Sequence, residues 1–329
     1  MTERVSPQPV VPAYREALAA ALRTVEAAVT QPIGLAYDVR TLRQALRTTG
    51  ADEEEADPLR GWRVPPAQGL EAAVLARRAL GLLQEWGALD GGLAERVRKV
   101  LDRAEARLGA DLRRPLAQRV RGLYVIIDPA QCRGRNPLDI AESALRGGAH
   151  VLQWRDKQTE KGTQLQTLAQ VRTLCTRYNA LLIVNDHADL AVAAEADGLH
   201  IGQLDLPLPH ARQVLRPGHL IGRSHALLEE ALASQAQGAD YIAVGTIFGT
   251  TSKAPERTRY AGLETLRKVK QAVQAPVVAI GGITASHVAQ VIEAGADAVA
   301  VLSAVCGADD PEKATRDLVE AIRRAQASP

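Results

Sequence analysis

The chain has 329 residues, 46% hydrophobic and 24% charged, a composition that buries a real core and excludes a disordered or collagen-like chain. Lys and Arg total 40 against 38 Asp and Glu, and aromatics are only 3%, so the net charge of +2 gives no field or stacking surface for nucleic acid or an anionic membrane. Cys132, Cys175 and Cys306 form no close pair in sequence, the N-terminus shows no leader pattern, and no stretch of about 18 apolar residues occurs. The expectation is a soluble cytoplasmic protein with free thiols.

At about 100–200 residues per domain the length suggests two domains, and the chain changes character in agreement. Residues 1–115 read as helical. In Tyr14–Val29, the positions Leu18, Leu22, Val25 and Val29 recur at spacings of three and four and form one apolar stripe. Similar stripes run through Ile33–Leu46, Leu70–Leu83 and Leu93–Leu108. Between Thr49 and Gln68, Gly50, Pro58, Gly61, Pro65 and Pro66 break the set into two pairs, with Glu53, Glu54 and Glu55 in a solvated loop. Ala21–Glu26 and Ala79–Glu85 are weakly alike, which fits a duplicated hairpin or, more simply, a shared Ala/Leu bias. Ala110–Gln118 reads as the connection between the two halves of the chain.

After Arg121 short β-branched runs alternate with helical stretches. The runs are Gly122–Asp128, His150–Trp154, Ala180–Asn185, Gly198–Ile201, Leu220–Gly222, Tyr241–Val244, Val277–Ile280 and Ala298–Leu302. Eight such units over residues 119–329 match a closed (β/α)8 barrel, an α/β fold, better than a doubly wound open sheet. Chemistry in such barrels sits at the carboxyl ends of the strands.

The second strand ends Gln153-Trp154-Arg155-Asp156-Lys157. Alternation sends Gln153, Arg155 and Lys157 to one side, two cations and an amide suited to an oligophosphate; a surface ion-pair ladder around Asp156 is the plainer reading. Asp186 ends the third strand and Asp205 follows the fourth, a carboxylate pair suited to Mg²⁺, although Asp186 also fits a helix cap. On the fifth, Ser224 and His225 point apart, which excludes a Ser-His catalytic pair. Ser224 becomes a hydrogen-bonding group on the rim, and His225 opens the next loop or helix. The sixth strand leads into a hydroxyl-rich loop, Gly245–Lys253, with the pattern of a lid or clamp. Gly281-Gly282 after the seventh strand and Leu302-Ser303 after the eighth make a backbone phosphate site. Together these motifs describe two anion sites around one mouth and a transfer between two phosphorylated molecules.

Residues 120–325 resemble the thiamine phosphate synthase family through Gln153–Lys157, Leu182–Asp186, Asp197–Asp205, Gly222–His225, Ala239–Lys253 and Ala279–Ser303. The resemblance implies condensation of 4-amino-2-methyl-5-pyrimidinylmethyl diphosphate with hydroxyethyl-methylthiazole phosphate, releasing pyrophosphate. It implies that Gln153, Arg155, Lys157 and Asn185 hold the pyrimidine diphosphate, and that Asp186 and Asp205 hold Mg²⁺. It also implies that Ser224 lies beside the pyrimidine, that Lys253 grips the leaving pyrophosphate, and that Thr250, Ser252, Gly281 or Gly282, and Leu302-Ser303 contact the thiazole phosphate. Arg155, Lys157, Ser224 and Lys253 are then the expected catalytic set. The chain departs from the family at Thr246 and Gly249, where Pro is usual, and at Ser252, where Thr is usual, which bears on closure of the clamp. A thiazole tautomerase of the same fold, which typically lacks the diphosphate and metal residues, and a non-catalytic regulatory barrel are the alternatives. The helical residues 1–115 carry no Gly-rich phosphate loop and read as a docking or oligomerisation module rather than a second enzyme; a homodimer is compatible with this.

Overall fold

The structure, a computed structural model, describes residues 10–29, 32–46, 63–249 and 259–327. The chain forms two compact units, Met1–Leu112 and Arg113–Pro329.

The first unit holds helices α1 (Val11–Ala28), α2 (Ile33–Leu46), α3 (Pro66–Glu85) and most of α4 (Gly91–Ala117). The stripe Leu18, Leu22, Val25 of α1 is fully buried against Ala76 and Leu83 of α3 and Leu101 and Leu108 of α4. Glu26 and Arg43 are both drawn into this packing: Glu26 accepts from Arg40 Nε at 2.6 Å and Arg43 Nε at 3.2 Å. A buried carboxylate left alone would be strongly destabilising. The acidic triplet at 53–55 lies outside the described residues.

Ala110–Gln118 spans the boundary between the two units, and it does so as helix. Helix α4 runs through Pro115 to Ala117, and Gln118 N still donates to Arg114 O at 3.1 Å. Tertiary contacts outweigh the proline: buried Arg113 donates to Asp240 at 2.8 Å and to the Pro217 carbonyl at 2.9 Å. Pro115 thus costs one helical hydrogen bond without ending the helix.

The second unit is a closed parallel barrel of strands β1 (Gly122–Ile127), β2 (Val151–Trp154), β3 (Leu181–Asn185), β4 (Gly198–Ile201), β5 (Leu220–His225), β6 (Tyr241–Val244), β7 (Val277–Ile280) and β8 (Ala298–Val301). Strand β8 returns to β1 with Gly122 opposite Ala298. Around the strands lie helices α5 (Pro137–Arg146), α6 (Lys161–Arg177), α7 (Ala188–Ala193), α8 (Leu208–Val214), α9 (Leu228–Ala236) and α10 (Gly262–Ala272). Then come α11 (Val288–Glu293), α12 (Ser303–Cys306) and α13 (Pro311–Ala327). Alternation divides each strand. Val125, Leu152, Leu182 and Val299 pack outward under the helices, whereas Tyr124, Val151, Leu181, Tyr241 and Ala298 fill the lumen with Ala117 and Val120 beneath them.

Strand β5 extends to His225, three residues beyond the run expected from sequence, because Arg223, Ser224 and His225 pair with Ile242, Ala243 and Val244. His225 therefore ends a strand rather than opening a loop. At the opposite end of the barrel one device recurs. Asp197, Asp240 and Asp297 accept from the backbone N–H of Leu182, Ile221 and Val277 at 2.8, 2.8 and 2.7 Å. Each is also paired with a cation, Arg172, Arg212 or Lys270. All three cysteines are free and buried. Among the described residues no helix is long and apolar enough to cross a membrane.

Candidate active site

A cavity of about 160 Å³ opens at the carboxyl ends of the strands. Gln153, Arg155, Lys157, Asn185, Asp186 and Asp205 line one side of it. Ser224, Gly281, Gly282, Leu302 and Ser303 complete the mouth. Thr250, Ser252 and Lys253 lie outside the described residues.

The end of β2 is organised by its neighbours. Arg155 N donates to Ile127 O at 2.9 Å, continuing the ladder, and its guanidinium is paired with Asp128 at the end of β1. Asp156 turns the other way and caps its own turn, accepting from Gln158 N and Thr159 N, both at 2.9 Å. Those bonds hold its carboxyl below the ordinary range despite partial burial. Asp156 therefore sorts Arg155 and Lys157 to one side as a turn-former, not as the centre of an ion-pair ladder.

Asp186 comes directly after β3 with φ +62°, a left-handed conformation that Asp tolerates better than most residues. It does not cap α7, whose N-cap position is His187. Its carboxylate meets Lys157 Nζ at 3.1 Å and faces Asp205. Burial and the facing Asp205 raise its pKa, whereas for Asp205 hydrogen bonds from Asp186 and Gly202 N outweigh burial and lower it. Gly202 N lies 2.6 Å from Asp205 Oδ2. Two facing carboxylates with a lysine beside them are a donor set suited to a divalent cation completed by water and substrate oxygens. Among the described residues no cluster of three or more His, Cys, Asp or Glu offers a fuller cage.

At the far side Gly281 has φ +107° with Thr246 behind it, and Gly282 has φ +65° against the Phe248 and Gly249 carbonyls. A Cβ at either position would collide with the loop after β6, so the glycines bring backbone up to the cavity wall. Phe248 stacks on His287 with ring centroids 4.1 Å apart, and His287 Nδ1 lies 3.1 Å from Gly282 O.

Sequence reasoning missed four members of this site. Asp128, which holds Arg155, looked like the last residue of an apolar strand. Tyr124 and Tyr241 looked like core, and His200 passed as part of a strand end; all three line the cavity. Ser224 Oγ lies 2.8 Å from His200 Nε2, and His200 Nδ1 lies 3.1 Å from the Tyr241 hydroxyl. The sole available hint was inward alternation, which places each of them in the lumen.

Residues 123–305 match the family described as thiamine monophosphate synthase. A bifunctional thiamine biosynthesis protein from Symbiobacterium thermophilum is 43% identical over 212 residues, covering 64% of this chain; the chain spans only 43% of that protein. A thiamine-phosphate synthase from Thermosynechococcus vestitus is 38% identical over 258 residues, 77% of this chain and 72% of that one. The latter match is longer than the barrel and reaches into the helices before it. Among solved structures, a thiamine phosphate pyrophosphorylase from Pyrococcus furiosus is 37% identical, with TM-score 0.59, and covers 64% of this chain and 98% of that chain. With a match over more than half its length, the chain belongs to the thiamine monophosphate synthase family.

Proposed function

We propose that this protein is a thiamine-phosphate synthase that joins 4-amino-2-methyl-5-pyrimidinylmethyl diphosphate to hydroxyethyl-methylthiazole phosphate and releases pyrophosphate. The observation that supports this reading is one mouth with two unlike sides, cationic and carboxylate side chains at β2–β4 and glycine backbone at β7–β8. The two phosphorylated substrates and the release of a diphosphate leaving group account for both.

In this reading Arg155, held by Asp128, and Lys157 bind the diphosphate, Arg by its planar fork and Lys as a point charge. Asn185 lies beside them, and Asp186 and Asp205 would hold Mg²⁺. When bound, that ion would neutralise charge on the departing pyrophosphate. With Asp186 holding the ion, Lys157 beside it would be available to the leaving group. Gly281, Gly282 and Ser303 receive the thiazole phosphate through backbone N–H groups. On the family resemblance alone, Thr250 and Ser252 are assigned to the thiazole phosphate and Lys253 to the departing pyrophosphate. The C–O bond to the diphosphate breaks, the electron-rich aminopyrimidine stabilises the positive methylene carbon, and the thiazole nitrogen supplies the electron pair of the new C–N bond. The protein's contribution is to position the partners, stabilise the leaving charge and keep water away. No side-chain nucleophile is needed.

Residues 1–115 contribute none of these groups, and we assign them a docking or oligomerisation role. Omitting substrates one at a time tests the reading. Thiamine phosphate should appear only when both substrates and Mg²⁺ are present. Rearrangement of a thiazole phosphate without the pyrimidine would instead support a tautomerase.

A further inference from the structure

Lys157 lies beyond the end of β2, on the turn that leads into α6, and its backbone is pinned from both sides by buried side chains. The carbonyl of the peptide before it, Asp156 O, accepts from Gln164 Nε2 at 3.3 Å. The N–H of the peptide after it, Gln158 N, donates to Asp156 Oδ1 at 2.9 Å. The same two side chains close the turn: Gln164 Nε2 donates to Thr159 O at 2.7 Å, and Asp156 Oδ1 accepts from Thr159 N at 2.9 Å. Gln164 is 3% exposed and Asp156 8%, so solvent stands ready to replace neither partner.

Peptide groups are planar, so the two planes flanking a residue set its backbone conformation. With Asp156 O and Gln158 N–H both held, φ and ψ of Lys157 are fixed, and its side chain leaves the turn in one direction. That direction lets the ammonium reach Asp186 Oδ2 at 3.1 Å although the lysine side chain is half exposed. A fixed root limits where the tip of so long and flexible a chain can go. The sequence of α6 sets Gln164 apart as well. Gln164, Leu168, Val171 and Cys175 are the buried positions of that helix. An apolar residue suits the first place of such a stripe, and an amide there is accounted for by the two carbonyls it satisfies.

We propose that Gln164 is a positioning residue for the transfer: together with Asp156 it forms a buried cradle that aims Lys157 at the diphosphate. The role rests on the synthase reading, in which Lys157 meets that group. Gln164 does not line the cavity and acts only through the turn. Replacing it by an apolar residue of similar size leaves two buried carbonyls without their donor. The turn must then rearrange to satisfy them, and the root of Lys157 moves with it.

The test is a double-mutant cycle on the full chain, read by titration calorimetry with inorganic pyrophosphate and Mg²⁺. Gln164→Met should weaken pyrophosphate binding about tenfold in the wild-type background and by less than about twofold in Lys157→Ala, because the cradle has nothing left to aim. KM for the pyrimidine diphosphate should rise with that loss, while KM for the thiazole phosphate stays unchanged. A lower melting temperature with undiminished pyrophosphate affinity would mean that Gln164 only supports the fold, and overturns the proposal. An equal loss in both backgrounds would mean that it acts elsewhere, and overturns it too. Asp156→Ala removes the acceptor on the other side of Lys157 and should show the same coupling; it decides if Gln164→Met does not fold. Thiamine phosphate formation by wild type is followed separately. Coupled losses without product remove the synthase reading alone, and product with uncoupled losses removes the cradle alone. A wild type that does not bind pyrophosphate removes both.

Discussion

Lys157 Nζ stands 3.1 Å from Asp186 Oδ2, so the cation at the end of β2 is held by the carboxylate at the end of β3. This pairing makes Asp186 the hinge between the diphosphate and cation sides of the site. Asp186→Asn is the informative variant, because Asn accepts φ +62° whereas Ala there would add strain of roughly 1–2 kcal/mol. Product formation should fall by about 100-fold or more and lose its Mg²⁺ dependence, with the melting temperature near that of wild type. Steady-state assays across a Mg²⁺ titration check this.

Asp128 touches no substrate in this account but holds Arg155. Asp128→Asn should reduce kcat/KM for the pyrimidine diphosphate about 10- to 100-fold, the value of one hydrogen bond to a charged group. KM for the thiazole phosphate should stay within about twofold of wild type, as expected for a loss confined to that bond. An equal loss for both substrates would mean a general collapse of the mouth.

Gly282→Ala combines φ +65° with a collision against the Gly249 carbonyl oxygen. The loop after β6 must move, so KM for the thiazole phosphate should rise about tenfold or more while the barrel stays folded, at a strain cost of roughly 1–2 kcal/mol. Steady-state kinetics and thermal melting separate the two effects.

His225 is 3% exposed, and neither ring nitrogen has a hydrogen-bond partner among the described residues. Burial, aided by Arg223, lowers its pKa to about 4. The folded state therefore holds a neutral ring while the unfolded chain protonates near the ordinary value of about 6.5. Stability is fully present above that value and falls as pH drops towards 4, by about 2 kcal/mol at pH 5 and about 3 kcal/mol in full. Urea denaturation at pH 7.5 and 5.0 should show wild type losing about 2 kcal/mol more than His225→Leu.

Much of this architecture was legible because parallel strands covered on both faces read as short β-branched runs, and eight of them require closure. The features that escaped depend on partners distant in sequence. The β-branched run stops at Gly222 and His225 looks like the start of a loop or helix, whereas pairing with β6 makes Arg223, Ser224 and His225 strand. Ala110–Gln118 reads only as a connection, and its helical run past Pro115 goes with the buried Arg113–Asp240 pair. The strand-end residues of the site declared themselves because position after a strand is itself information. The floor did not: Tyr124 and Tyr241 are separated by 117 positions, and nothing local marks either as more than core.

The central claim is a condensation that couples two phosphorylated substrates to pyrophosphate release. Its most direct test is to incubate the purified protein with pyrimidine diphosphate, thiazole phosphate and Mg²⁺ and to quantify both products over time. The account predicts thiamine phosphate and pyrophosphate accumulating in equal amounts, with neither formed when either substrate is withheld. Pyrophosphate released without thiamine phosphate, or no release at all, would contradict it.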